Sequence, residues 1–143
     1  MSNSDQIAPA TAISGAGPRR FAVGVFIANS AFLGVGAVIL LFFGQRLFGT
    51  MLGLPAATGF LWQLLGICAL GLAVLSGLAA RARNGDTVFA TLVTLLIFQV
   101  GSALVSFITG STTDHAVFAN FVPHLILGVL LGIAWWRLHG RWI

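Results

Sequence analysis

Residues 59–80 read GFLWQLLGICALGLAVLSGLAA, and Arg81 closes the run. No charged side chain interrupts it. Wound as an α-helix at ~1.5 Å per residue it reaches roughly 33 Å, enough to cross a hydrocarbon core of about 30 Å. A barrel strand crosses in about 10 residues of alternating character, and this run is longer and rich in Gly, Ala and Leu throughout. Three more runs of the same kind flank it, at 21–43, 88–110 and about 117–136, and none of them contains Asp, Glu, Lys or Arg. Short connections between spanning helices make neighbours antiparallel. The expected fold class is all-α, an integral membrane four-helix up-down bundle.

Composition agrees. The 143 residues are 58% hydrophobic and 7% charged, whereas soluble domains average about 25% charged residues. Such a chain cannot cover its surface with polar groups in water, so its solvent is the lipid bilayer. Residues 1–18 are rich in Ser, Ala and Gly without apolar periodicity and read as a disordered tail, leaving 19–143 as the transmembrane domain. The pair Arg19–Arg20 precedes an apolar run too long for the core of a secretory signal. The formal charge is +4, from seven basic residues against three acidic ones. Its arginines stand at the ends of apolar runs, which is a membrane pattern and not a nucleic-acid surface. The single cysteine, Cys68, allows no internal disulfide and no CxxC motif.

The arginines also give direction. Arg19, Arg20, Arg81, Arg83, Arg137 and Arg141 fall on one side of a four-span topology and Arg46 on the other. The positive-inside rule puts the six, and with them both chain ends, in the cytoplasm. Trp135, Trp136 and Trp142 cluster at that face, and Trp62 lies near the opposite one. Among the connections, Asn84-Gly85 is a turn signal, and Thr112, Thr113 and Asp114 are helix-start residues. The stretch from Gly44 to Thr58 stays apolar, with Leu47, Phe48, Met51 and Leu52 at helical spacing. It predicts a short interfacial helix ended by Gly53 and Pro55.

Within lipid, helices associate through close packing and hydrogen bonds. On the second span Gly59, Gln63, Gly66, Leu70, Ala73, Gly77 and Ala80 form a mostly small or polar stripe expected to face the bundle interior. Ser30/Gly34 and Gly128/Gly132 are further small-residue pairs. Counting depth at ~1.5 Å per residue, Gln63, Gln99, Ser102, Ser106, Asn120 and His124 all fall between the membrane centre and its outer face. Asn29 falls apart from them in the inner half. Pro123 inside the fourth span would free the carbonyl of Ala119, which adds to an expected polar pocket open to the outer face. Those six residues are the candidate ligand-binding set. Interhelical glue is the competing reading of the same groups.

Several chemistries lack their residues. No carboxylate lies in a span, so proton coupling through a membrane Glu or Asp has no group to use. No pair of deep histidines offers haem ligation by one chain. No nucleophile–base–acid set, phosphate-binding glycine loop or metal-ligand cluster is present. Catalytic residues and resident cofactors are therefore not expected.

Gly53-Leu54-Pro55, then Gln63-Leu64-Leu65-Gly66, Leu70-Gly71-Leu72 and a closing Arg81 resemble the second-helix region of the DoxX-like proteins, small four-helix membrane proteins of bacteria. The resemblance covers about 30 residues, and Gln63 stands where that family often carries Glu. It implies a bacterial inner membrane and an association with redox systems. Three functions are thus expected in order: a non-catalytic accessory or scaffold module partnering another membrane protein or its own copies; a binder or carrier of a small amphipathic ligand such as a quinone; and a membrane component of a redox system.

Overall fold

The computed structural model describes residues 16–50, 52–109 and 115–139, with the side chains of 16, 108–109, 115–120 and 139 excepted. Most of the predicted tail, Met51, the helix-start residues Thr112, Thr113 and Asp114, Arg141 and Trp142 lie outside the described residues.

Four long helices make up the molecule: α1 (Ala16–Gly44), α2 (Gly59–Arg81), α3 (Gly85–Thr109) and α4 (His115–His139). Each is long and apolar enough to cross a membrane. α4 continues through Pro123 as a single helix. Asn84 is a helix cap and not merely a turn residue. Its Oδ1 accepts the backbone N–H of Asp86 at 2.9 Å, so α3 begins three residues before the predicted span, with Asp86 in the favourable N-terminal turn.

The segment after α1 differs from the expected separate interfacial helix. α1 passes directly into a π-helical turn, Gln45–Gly49, and the chain then bends at Gly53. Gly53 has φ +64°, a conformation open to glycine at little cost. A 3₁₀ turn, Ala56–Thr58, leads into α2. The side chain of Gln45 ties this loop together. Its Oε1 accepts the Trp62 indole N–H at 3.1 Å, and its Nε2 donates to the carbonyls of Leu54 at 3.4 Å and Pro55 at 3.3 Å.

Helix contacts give the topology. Gly44 meets Trp62, Gly66 meets Leu41 and Ala37, and Ser30 meets Ala73, so α1 and α2 are antiparallel. Phe107 meets Phe121 and Val100 meets Gly128, so α3 and α4 are antiparallel as well. The two pairs join through α1 against α4 and, less extensively, α2 against α3. Arg137 lies over the Phe21 ring at 4.9 Å, which fixes the α1–α4 register at the arginine-rich end.

Apolar side chains occupy both the interior and the outer surface. Phe26, Leu92, Leu95 and Leu131 fill the centre among alanines, while Phe42, Ile97, Phe107 and Trp136 point outward. On α2 the inward face is Gly66, Ala69, Ala73, Ser76 and Ala79. This corrects the predicted stripe. Gly66 and Ala73 are interior, but Gln63 and Leu70 are exposed. The reason is helical phase. At 100° per residue the buried set centres about one residue's turn away from Gln63.

Candidate functional site

A chain of hydrogen bonds crosses the middle of the bundle and takes one side chain from each helix. His124 on α4 bonds through Nδ1 to Oε1 of Gln99 on α3. Gln99 donates from Nε2 to Oδ1 of Asn29 on α1. Asn29 donates from Nδ2 to Oγ of Ser76 on α2 at 3.3 Å. Ser76 donates its O–H to the backbone carbonyl of Phe26 at 2.9 Å. Because the Gln99 amide nitrogen is turned toward Asn29, its oxygen faces the imidazole, and an oxygen can only accept there. His124 therefore carries its hydrogen on Nδ1, and every bond runs in the same direction from α4 to α1.

The surroundings hold this geometry. Asn29, Ser76 and Gln99 are 0% exposed. The imidazole meets the Phe32 ring edge-on at 5.3 Å and the Phe98 ring at 5.9 Å. Ser30, the residue after Asn29, donates to the carbonyl of Ala73 at 2.8 Å. Each helix of the α1–α2 pair thus gives a serine to a carbonyl of the other. Among the described residues no buried side-chain nitrogen or oxygen lacks a partner. An unpaired polar group in such surroundings would cost about 1–3 kcal/mol.

The predicted set divides. Gln99 is a middle link of the hydrogen-bond chain and His124 is its α4 end. Ser102 is half-buried and Ser106 buried, one and two turns further along α3 from Gln99. The Asn120 side chain lies outside the described residues. Gln63 is exposed on α2 and takes no part. Asn29, expected apart from the cluster, is the link between Gln99 and Ser76. Ser76 was not a predicted member, since a lone serine in an apolar run carries no sequence signal. With Asn29 and Ser76 included, the linked polar chain sits at mid-bundle and extends toward the arginine-rich end, while Ser102 and Ser106 lie on the other side of Gln99 along α3. Depth counted separately along each span misses a shared centre when the spans start at different heights.

Beside this centre, α3 and α4 enclose a groove of about 310 Å³ on the outer surface. Val100, Leu104, Phe107, Phe121 and Leu125 line it, with Gly128 among the lining residues. A Cβ on Gly128 would stand 3.8 Å from that of Gln99, so the groove passes close to the polar chain. Among the described residues, no three His, Cys, Asp or Glu side chains gather to hold a metal ion. Compared with known proteins, the chain matches no family model, no curated protein and no solved structure.

Proposed function

We propose that this chain is a small polytopic membrane protein acting as a non-catalytic accessory or scaffold module. One observation carries the reading. The polar side chains at the centre are engaged with one another, one per helix, and the chain of bonds ends on a backbone carbonyl. Interhelical hydrogen bonds of this kind hold membrane helices in register, at about 0.6 kcal/mol each. The outward faces are large and aliphatic, suited to lipid or to another membrane protein. The arginine distribution supports cytoplasmic ends, and the DoxX-like resemblance supports a bacterial inner membrane.

The test is His124→Ala combined with Gln99→Leu. A clasp requires loss of folded protein or a clear drop in unfolding temperature in mild detergent. A pair of variants that fold as well as the parent, yet abolish a cellular phenotype, would sink the clasp and favour a site.

A second reading is a binder of a quinone or similar amphipathic molecule. It is supported by the apolar groove passing beside Gln99 and by the redox association that the resemblance implies. Quinone titration against the Gly128→Leu variant, which fills the groove, separates this reading from the first.

A further inference from the structure

The amide of Gln63 stands on the outward face of α2, exposed among aliphatic side chains. The other described amides are all engaged: Asn29, Gln99, Gln45 and Asn84 each make hydrogen bonds. Among the described residues Gln63 is the amide that makes none. Ile67, Leu70 and Val74 continue its stripe at 59%, 45% and 55% exposure. The spacing, i, i+4, i+7, i+11, is that of a helix seam crossing a like helix at about +20°.

We propose that this face pairs with the same face of a second copy. The proposal rests on the membrane-module reading above and names its partner. Copies inserted in one membrane share an orientation, so their two-fold axis lies along the bilayer normal. Residue then meets like residue, and Gln63 faces Gln63. A carboxamide has both donor and acceptor, so two of them satisfy each other with no further group. A polar side chain in an apolar helix surface drives association in this way. Arg81 follows in the same stripe at its far end, and its charge would repel its mate. The helices therefore cross near Gln63 and diverge toward Arg81. The internal α1–α2 interface uses the neighbouring face of α2, about 100° round the helix, through Gly66, Ala73 and Ser76, so the two contacts use different residues.

The test is oxidative cross-linking in native membranes of the full chain in a Cys68→Ala background, with Ile67→Cys, Val74→Cys and, as a lipid-facing control on α3, Ile97→Cys. Disulfide-linked species of twice the chain mass are expected at 67 and 74 and not at 97. Adding Gln63→Leu is expected to weaken dimerisation about threefold to tenfold, and Gln63→Asn to retain most of it, in keeping with about 1 kcal/mol for an interhelical hydrogen bond. Cross-linking at 67 and 74 no greater than at 97 overturns the pairing, as does an unchanged dimer fraction in Gln63→Leu. A cross-linked species of another mass overturns the second copy in favour of a different membrane protein. Extraction of the chain by alkaline carbonate would instead sink the membrane reading itself.

Discussion

Asn29 joins two neighbours that belong to different helix pairs. It accepts from Gln99 across the bundle and donates to Ser76 within its own pair. Replacing it with Leu breaks both bonds and leaves the Gln99 donor facing an alkyl group. The expected loss is about 1–3 kcal/mol, read as a lower midpoint in detergent-titration unfolding. Ser76→Ala should cost a comparable amount, about 1–3 kcal/mol, because it leaves the buried Asn29 amide N–H without its acceptor. A cost near zero for either variant would argue against a linked chain. At this scale the sequence was only partly readable. Gln99 and His124 declare themselves as large polar groups in apolar runs. Asn29 and Ser76 do not declare their partners, because partnership depends on where each helix begins relative to the next.

The α1–α2 pair rests on close approach of two backbones. A Cβ at Gly66 would lie 2.7 Å from Leu41 Cγ, 3.0 Å from the Leu41 nitrogen and 3.1 Å from the Ala37 carbonyl oxygen. Backbone atoms cannot turn aside as a side-chain tip can. Gly66→Ala should therefore push the helices apart, at about 1–3 kcal/mol, with a fall in thermal stability. Gly24→Ala, on the same pair but with nothing within 4 Å of the new carbon, should be neutral or slightly stabilising by its helix propensity. A matching loss at both positions would refute the close contact. Gly66 was recognisable from sequence as an interior small residue. The phase of the rest of α2 was not, because lipid-facing and buried positions are both apolar, and size is then the remaining cue. Leu70 fitted the spacing and still turned outward.

For the whole molecule, apolar length was sufficient to find all four helices, since nothing else in a chain this poor in charge sustains runs of that size. The connection after α1 was harder. Its apolar spacing continues the helix, and only the contacts of Gln45 with Trp62, Leu54 and Pro55 show how the chain is folded back. The described arginines at residues 19, 20, 81, 83 and 137 gather at one end of the antiparallel bundle and Arg46 lies at the other. The expected orientation places the larger group in the cytoplasm. An enzyme reporter active only in the periplasm, fused after Ile143, should give no signal, and the same reporter inserted after Gly53 should give a strong one. The reverse pattern would overturn the orientation.

The direction of the polar chain has a consequence for biogenesis. Synthesis delivers α1 and α2 first, and their hairpin can close at once through Ser30 with Ala73 and Asn29 with Ser76. That hairpin still holds an unmatched acceptor, the Asn29 oxygen, until Gln99 arrives on α3. Gln99 in turn presents an acceptor that waits for the imidazole on α4. Each newly made helix thus brings the hydrogen that the preceding assembly lacks, and the order of translation is written into the polarity of the bonds.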